Sequence, residues 1–338
     1  MYEPVSGTVL YEKHPDDRML IASTTKIMTA AVVLEHCRLS ERVEVNASHA
    51  AVEGSSMYLR PGGEYTVEDL LYGLLLSSGN DAAAALADHC AGSMEGFAAL
   101  MNEKAAALGL ENTHFANSHG LDAPDNYSSA RDLARITAKA MENQDFCRIF
   151  ATSDKTVRGI TYVNHNKLLR TCDGCIGGKT GYTQAAGRIL VSCVEREGLR
   201  LICVTISDPD DWTDHAMLYD EAFSAWRFIP LPEGGWRTLE TVSGAAERVR
   251  LVCSKPGILV RAESEVHLRV RLPRFVFAPV LIGDKAGSVD IWIDGTLDGT
   301  AEIWYGETIP AEKRPVFSVC DHLLRLVHRG NGVYYLTA

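Results

Sequence analysis

The chain has 338 residues, 46% of them hydrophobic and 23% charged, and a formal net charge of −11 at pH 7. A single hydrophobic core rarely extends beyond about 250–300 residues, so this length predicts two domains of ordinary globular composition. The acidic balance argues against nucleic-acid binding, which requires clustered Lys and Arg side chains. No run of about 18 apolar residues occurs, so the sequence predicts no membrane-spanning helix.

The first third of the chain has the pattern of a short strand, a polar turn and four helices. In chain order these are a strand over 7–13, a turn over 14–17, a helix with Ile27, Ala30, Ala31 and Leu34, and helices over 66–77, 81–91 and 94–108. The first helix has the i, i+3, i+4, i+7 apolar spacing of a helix that faces a core. Thr66 followed by Asp69 resembles a capping box at the start of the second helix. Gly92 and Gly109 are predicted to end the third and fourth helices.

Residues 187–207 change to the pattern of a β-hairpin. Two apolar, β-branched runs flank a Glu197-Gly198 turn, which is typical of two antiparallel strands. Lys179 lies just upstream and is expected on a strand of the same sheet. A final helix over 211–227 is expected to pack on that sheet.

The chain is predicted to consist of an α+β domain, a small all-β domain and a tail. The boundaries are 1–233, 234–312 and 313–338. Residues 266–272 alternate between aliphatic and polar side chains, and short strands of this kind separated by Gly and Pro indicate a β-sandwich. The tail has apolar residues beside basic ones and is interpreted as an amphipathic helix. These residues are Val319, Leu323, Leu326 and Val327, with Arg325, His328 and Arg329.

Three short motifs follow one another along the first domain. They are Ser23-Thr24-Thr25-Lys26, Ser78-Gly79-Asn80 and Lys179-Thr180-Gly181. Each alone has a plain structural interpretation, as an ordinary helix surface, a turn with an Asn cap or the end of a strand. Together they supply a nucleophile, a base, a proton relay and a cationic anchor for a carboxylate, which favours a catalytic interpretation.

The first motif contains the candidate nucleophile and base. Ser23 and Lys26 are three residues apart on one helix, so their side chains leave the same face about one turn apart. A lysine acts as a base only when it is neutral, which requires a pKa lowered by burial or by a neighbouring cation. Lys179 is the candidate for that cation. The position of Ser23 at the helix start also favours a developing anion.

The other two motifs contain the candidate relay and substrate-binding groups. Ser78 would pass a proton toward the leaving group, and Asn80 would hydrogen-bond the peptide backbone of a substrate. Lys179 and Thr180 would present an ammonium and a hydroxyl to a carboxylate. Gly181 would let the substrate backbone approach the strand closely.

Longer stretches around these motifs resemble one family. They are residues 21–30, 54–59, 76–82, 119–124, 129–134 and 178–183, with the sequences IASTTKIMTA, GSSMYL, LSSGNDA, HGLDAP, SARDLA and GKTGYT. The chain resembles the D-alanyl-D-alanine carboxypeptidases among the low-molecular-mass penicillin-binding proteins, particularly the sporulation and vegetative types of spore-forming bacteria. The order of the motifs is that of penicillin-binding proteins and class A β-lactamases. The likeness covers nearly all of residues 5–230.

The resemblance implies a β-lactamase/transpeptidase-like catalytic domain and a serine peptidase that removes the terminal D-Ala of peptidoglycan stem pentapeptides. Ser23 would be acylated by the penultimate D-Ala carbonyl, with Lys26 as its base. The backbone N–H groups of Ser23 and Tyr182 would form the oxyanion hole, where they stabilise charge that develops only in the transition state. Lys179 and Thr180 would hold the C-terminal carboxylate. No cofactor and no metal are implied.

The resemblance also implies partners and a location. Peptidoglycan stem peptides would be the substrates. β-Lactams would acylate Ser23 as inhibitors, with slow turnover because no counterpart of the class A β-lactamase Glu is recognisable. The enzyme would act outside the cytoplasm, in the cell envelope, although this chain shows no signal peptide. The tail over 313–338 would either contact the membrane interface, as the amphipathic helix of the family does, or cover the β domain as a terminal helix.

Other interpretations remain open at this point. A DD-endopeptidase would cleave peptidoglycan crosslinks, a β-lactamase would turn penicillin over quickly, and a penicillin sensor would bind without catalysis. Cys172 and Cys175, with His165 upstream, could form a zinc site, a redox pair or a disulfide. His119 is interpreted as a structural turn residue, because Lys26 already fills the role of base.

Overall fold

The computed structural model describes residues 1–232, 236–312 and 332–337. The chain divides into two compact units, Met1–Ala222 and Phe223–Ala338. The division comes earlier than the predicted boundary at 233. The reason is that Trp226–Pro230 is a strand and pairs with Gly257–Arg261 of the second unit.

The helices of the described residues lie mainly in the first unit. They are α1 (Thr25–His36), α2 (Ala47–Ala50), α3 (Val67–Leu76), α4 (Asn80–Ala91), α5 (Met94–Ala107), α6 (Ala130–Ala140), α7 (Gln144–Phe150), α8 (Leu168–Thr171) and α9 (Asp211–Ala225). The predicted capping box is confirmed at the start of α3: the Thr66 hydroxyl accepts from Asp69 N (3.0 Å), and the Asp69 carboxylate accepts from Thr66 N (3.1 Å). Gly92 ends α4 in the left-handed conformation, also as predicted. The final helix, α9, ends at Ala225, slightly before its predicted end.

One apolar core holds α1, α3, α4 and α5 together. Its fully buried members include Ile27, Met28, Leu70, Leu74, Leu86, Phe97 and Met101. Alanines at 82, 83, 85 and 87 form much of the buried surface of α4, and such short side chains let neighbouring helices approach closely. This packing fixes the start of α1, which follows Ser23, relative to the start of α4 at Asn80.

The strands of the first unit form one main sheet and several short pairs. They are β1 (Tyr2–Glu3), β2 (Thr8–Val9), β3 (Met19–Leu20), β4 (Arg42–Glu44), β5 (Glu64–Thr66), β6 (Tyr127–Ser128), β7 (Asp154–Val157), β8 (Ile160–Val163), β9 (Cys175–Thr183), β10 (Gly187–Arg196) and β11 (Leu199–Ile206). The main sheet is antiparallel with the order β2-β1-β11-β10-β9. The strand predicted over 7–13 is shorter in the structure, where only β2 is extended.

The predicted hairpin is confirmed by the pairing of β10 with β11. Its turn residues Glu197 and Gly198 have φ values of 50° and 80°, as a two-residue type I′ turn requires. Lys179 lies on β9 opposite Val191 of β10. The third motif therefore lies on a strand of this sheet, as predicted, and that strand is at the sheet's edge.

The helix α9 is joined to the main sheet by a buried polar cluster. The Tyr219 hydroxyl donates to Ser192 O (2.8 Å) and accepts from Cys203 N (3.2 Å). His215 Nδ1 lies 2.7 Å from Ser192 Oγ, and its Nε2 lies 3.1 Å from Thr205 Oγ1. These contacts connect α9 to both strands of the hairpin.

The second unit is all β in the residues that the structure describes. Its strands are β12 (Trp226–Pro230), β13 (Thr238–Val242), β14 (Arg248–Cys253), β15 (Gly257–Arg261), β16 (Val266–Leu272), β17 (Phe275–Phe277), β18 (Lys285–Ile293), β19 (Thr296–Tyr305) and β20 (Gly332–Thr337). A seven-stranded sheet has the order β17-β13-β14-β19-β18-β16-β20, and β12 pairs separately with β15. Ile229 and Ile258 from the pair share a core with Val270, Val289 and Ile303 from the large sheet. The fold class is therefore α+β with a second, all-β domain, as predicted.

The structure describes only the last part of the predicted tail. The amphipathic helix predicted around Leu323 and Leu326 lies outside the described residues. The last described segment is a strand, β20, which pairs antiparallel with β16; its Val, Tyr and Thr residues favour extended structure. Within the described parts of the chain, no helix combines the length and apolar character needed to cross a bilayer.

Candidate active site

Ser23 lies in a tight turn that two neighbouring segments cover closely. The turn is a 3-10 helix over Ala22–Thr24, directly before α1. A Cβ built at Gly120 would overlap the Ala22 carbonyl oxygen, and one built at Gly181 would lie 3.1 Å from Ile21 O. Gly120 also has φ +89°, a conformation that favours glycine. Glycine at these two positions lets the 119–121 turn and strand β9 contact the backbone beside Ser23.

Lys26 connects three of the segments that form the site. Its Nζ lies 2.9 Å from Ser23 Oγ, 2.7 Å from Asn80 Oδ1 and 2.5 Å from His119 O. The side chain is fully buried. Burial, and then the charge of Lys179, hold the Lys26 pKa well below its usual value, although Asp81 acts in the opposite direction. A neutral amine can accept the hydroxyl proton of Ser23, so the geometry and electrostatics both suit a base.

The second buried lysine, Lys179, lies on β9 and contacts the second motif. Its Nζ donates to Ser78 Oγ (3.0 Å) and to Thr180 O (2.8 Å). Burial lowers the Lys179 pKa to about 7. Ser78 has φ +62°, which costs a non-glycine residue of order 1–3 kcal/mol and is frequent at functional sites. The hydroxyl predicted to relay protons from Lys26 is therefore hydrogen-bonded to Lys179 instead.

Asn80 is held within the protein by three hydrogen bonds. Besides accepting from Lys26, its Nδ2 donates to Glu53 O (2.6 Å) and its backbone N donates to Ser55 O (2.7 Å). A Cβ at Gly54 would lie 2.7 Å from Asn80 Nδ2, so glycine is needed for this contact. The side chain predicted to bind a substrate backbone thus also connects Lys26 to the 53–59 loop.

The sequence interpretation missed the carboxylate that organises this loop. Asp81 is fully buried, and it accepts hydrogen bonds from Met57 N (2.8 Å), Ser56 Oγ (2.7 Å) and Leu59 N (3.0 Å). The sequence signal was the acidic residue directly after Ser-Gly-Asn, together with the resemblance of residues 54–59. Neither identifies a contact between segments that are more than twenty residues apart.

The remaining predicted site residues lie on β9. Thr180 and Gly181 lie opposite Leu190 and Ile189 of β10. The Tyr182 side chain is 68% exposed, so it points away from the buried lysines. A role for this residue near Ser23 would therefore involve its backbone N–H.

The cysteine pair upstream of β9 has no covalent link in the structure. Cys172 and Cys175 are both free thiols. The Cys175 thiol donates to Gly177 O (3.6 Å), and the Asn166 side chain donates to Cys175 Sγ (3.7 Å). Burial, and then the charge of Lys179, lower the pKa of His165.

The chain was compared with known proteins through family profiles, curated sequences and solved structures. A profile described as Peptidase_S11, D-alanyl-D-alanine carboxypeptidase, matches residues 1–210. The D-alanyl-D-alanine carboxypeptidase DacF of Bacillus subtilis is 31% identical over 318 residues, which cover 87% of this chain and 81% of DacF. For DacC of Escherichia coli, the identity is 40% over 314 residues, 86% of this chain and 78% of DacC.

A solved structure gives the same assignment. Penicillin binding protein 5 from Haemophilus influenzae superposes with a TM-score of 0.72 and 29% identity, over 91% of this chain and 96% of that chain. The similarity therefore extends through both units, and in sequence it includes the stretch that holds Ser23, Lys26, Asn80 and Lys179. The chain belongs to the D-alanyl-D-alanine carboxypeptidase family, the serine peptidases of the penicillin-binding type that act in peptidoglycan metabolism.

Proposed function

We propose that Ser23 is the nucleophile that removes the terminal D-Ala from peptidoglycan stem pentapeptides. The observation that carries the proposal is the 2.9 Å contact between Ser23 Oγ and the fully buried Lys26 Nζ. Lys26 takes the hydroxyl proton as Ser23 attacks the penultimate D-Ala carbonyl. The Ser23 ester that results is then hydrolysed by water, and the enzyme returns to its starting state.

The leaving amine of D-Ala requires a proton when the peptide bond breaks. Ser78 is suited to deliver it, because its hydroxyl is hydrogen-bonded to Lys179 and follows α3 in the connection to Asn80. Within the described parts of the chain, Lys26 and Lys179 donate to hydroxyl, amide and carbonyl oxygens rather than to carboxylates. Because neither amine is paired there with a carboxylate that would keep it protonated, both can take part in proton transfer.

The ammonium group of Lys179 is suited to recognise the carboxylate at the C-terminus of the substrate. Lys179 and Thr180 would bind the C-terminal carboxylate, which an internal peptide bond does not have. The backbone N–H groups of Ser23 and Tyr182 would stabilise the oxyanion, and Asn80 would orient the substrate backbone. β-Lactams carry an amide and a carboxylate in a similar arrangement, so they would acylate Ser23. The substrate is a component of the cell wall, so the enzyme would act in the cell envelope.

The test is D-Ala release from a peptide that ends in D-Ala-D-Ala, compared with the same peptide carrying a C-terminal amide. The proposal predicts release from the free carboxylate, at least about 100-fold slower release from the amide, and loss of release in Ser23→Ala. Ser48→Ala, an exposed serine on α2, is the matched control and should remain active. Cleavage of crosslinked muropeptide dimers without D-Ala release would support an endopeptidase instead, and acylation by penicillin without any release would support a sensor.

A further inference from the structure

A second cluster of chemically capable side chains lies at the opposite end of α1 from Ser23. Cys37 follows the last residue of α1, Glu41 lies in the next loop, and His89 lies in the last turn of α4. A helix rises 1.5 Å per residue, so this cluster is roughly 20 Å from Ser23. The thiol of Cys37, a carboxylate oxygen of Glu41 and a ring nitrogen of His89 all lie within 4.8 Å of one another. The reaction proposed above uses none of them.

The carboxylate of this cluster is oriented by its neighbour. Arg38 donates to Glu41 Oε1 through its backbone N (3.0 Å) and its Nε (3.1 Å). The other oxygen, Oε2, lies 3.0 Å from His89 Nε2. One carboxylate oxygen is therefore held by Arg38, and the other is directed toward the His89 ring.

The surroundings of the cluster favour a cation. Two helices, α1 and α4, both end here, and the C-terminal end of a helix carries a partial negative charge. The side chains of Glu41 and His89 are only 27% and 24% exposed, so water screens them incompletely. Cys90 follows His89, and its thiol lies close enough to Cys37 for the two thiols to influence each other's pKa, which places a second sulfur near the first.

We propose that Cys37, Glu41 and His89 bind a zinc-class divalent cation. One sulfur, one imidazole nitrogen and one carboxylate oxygen form a donor set that zinc accepts in tetrahedral geometry. Bond lengths of about 2.0–2.3 Å to such an ion imply donors roughly 3.3–3.8 Å apart, and the three donor atoms lie within 4.8 Å of one another, so closing the site requires shifts of up to about 1 Å. Binding releases the Cys37 thiol proton to solvent. The ring proton of His89 moves from Nε2 to Nδ1, so that Nε2 can bind the metal, and the Glu41–His89 hydrogen bond is replaced by two metal bonds. This differs from the expectation, drawn from the resemblance, that the chain needs no metal.

The site would have a structural role. It would fasten the loop that contains Glu41 to the end of α4, and α1 and α4 are the helices that position Lys26 and Asn80. Anything that binds only the folded state raises its stability. Zinc is therefore expected to raise the melting temperature of the chain without any contact with Ser23.

The experiment uses the full chain, treated with a phosphine reductant and freed of metal by a chelator. Zinc is titrated in competition with a chromophoric chelator, and Co²⁺ is added separately to detect thiolate-to-metal charge-transfer absorption. We expect one zinc per chain and at least about 100-fold weaker binding in both Cys37→Ser and His89→Gln, since changing even an outer-shell partner costs 10–100-fold. Cys147→Ser, a half-buried cysteine elsewhere in the first unit, is the matched control and should bind zinc normally.

Two results would overturn the proposal. One is zinc binding that is unchanged in Cys37→Ser and in His89→Gln. The other is a reduced, folded chain that binds no zinc, whether or not the untreated chain contains a Cys37–Cys90 disulfide; with that disulfide, the cluster would be a redox pair. If Cys37→Ser does not fold, the His89→Gln variant decides alone, because the partly exposed His89 side chain is not a member of the hydrophobic core.

Discussion

At the scale of single residues, two buried lysines differ in the role that each can perform. Lys26 contacts the hydroxyl of Ser23, whereas Lys179 contacts Ser78 on the other side of the site. Burial lowers the pKa of both, and the charge of Lys179 lowers that of Lys26 further. One amine can therefore be neutral while the other remains charged, which is the condition for a base beside a carboxylate anchor.

Replacing the base with a permanently charged group tests the first role. In Lys26→Arg the guanidinium stays protonated and cannot accept the Ser23 proton. Acylation by penicillin should slow by about 10²–10⁴-fold, the usual contribution of general base catalysis. The acylation rate is measured by quenching the reaction at successive times and determining the fraction of adduct by intact-protein mass spectrometry. Lys139→Arg, on an exposed face of α6, should acylate at the normal rate; an equal loss in both variants would contradict the assignment.

The pH dependence of kcat/KM tests the second role. The carboxylate anchor is present only while Lys179 is charged, so kcat/KM should fall as the pH rises through its lowered pKa. The base limb should therefore lie below 10.5, the ordinary lysine value given for this group. In Lys179→Arg the charge persists across this range, so the base limb should disappear even if the overall rate is lower. A base limb that is unchanged in Lys179→Arg would assign the titration to another group.

At the scale of secondary-structure elements, the 119–121 turn packs against Ala22 and helps to position the Lys26 side chain. The His119 carbonyl accepts from Lys26, and Gly120 N donates to Asn117 Oδ1 (2.7 Å). The turn thus holds the Lys26 amine through a backbone carbonyl, as Asn80 holds it through a side-chain oxygen. The turn can approach Ala22 this closely only because residue 120 is a glycine and has no Cβ atom.

An alanine at this position should displace the turn. Gly120→Ala should destabilise the fold by roughly 1–3 kcal/mol because of its left-handed conformation, and it should slow acylation by about 100-fold, as a displacement of about 1 Å can do. Gly109→Ala is the matched control, since Gly109 has φ +65° but nothing within 4 Å of its Cβ position. The control should lose stability while acylation of the folded fraction stays normal. Urea unfolding and penicillin uptake on the same samples separate the two effects.

The elements differ in how well the sequence predicted them. The capping box at Thr66 and the hairpin turn at Glu197 were predictable, because local residue types determine both. The contacts of Asp81 with the 56–59 backbone were not, since they join segments that only the tertiary fold brings together. The contact of Lys26 with His119 O was also not predictable, because every residue has a carbonyl oxygen and the sequence does not distinguish this one.

The partner of Ser78 shows the same limit. Spacing placed Ser23 and Lys26 on one helix face and made their contact predictable, since three residues correspond to about one turn. The Ser78–Lys179 hydrogen bond depends on how the edge strand β9 meets the connection between α3 and α4. The strand β20 was also not predicted, because its pairing with β16 joins segments that are distant in the sequence.

At the scale of the whole molecule, acid stability should depend on the buried cluster between α9 and the hairpin. Burial lowers the His215 pKa to about 3, whereas an unfolded histidine titrates near 6.5. The unfolded state therefore binds more protons between these values, so stability is complete above about 6.5 and decreases as the pH falls toward 3. The full effect is on the order of 5 kcal/mol, from 1.36 kcal/mol per pKa unit.

His215→Gln tests this dependence, because glutamine can hydrogen-bond to Ser192 but does not titrate. The melting temperature of the variant should decrease less than that of the unmodified chain between pH 7 and pH 4. His14→Gln, an exposed histidine, should retain the original dependence. Parallel pH curves for the unmodified chain and His215→Gln would show that other groups control acid stability.

The most direct test of the whole account is the site of acylation by benzylpenicillin. Intact mass followed by peptide mapping would be applied to the unmodified chain, to Ser23→Ala and to Ser48→Ala. The account predicts one penicilloyl group per chain, located at Ser23, in the unmodified chain and in Ser48→Ala, and none in Ser23→Ala. A penicilloyl group on another residue, or one that persists in Ser23→Ala, would contradict the assignment of Ser23 as the nucleophile.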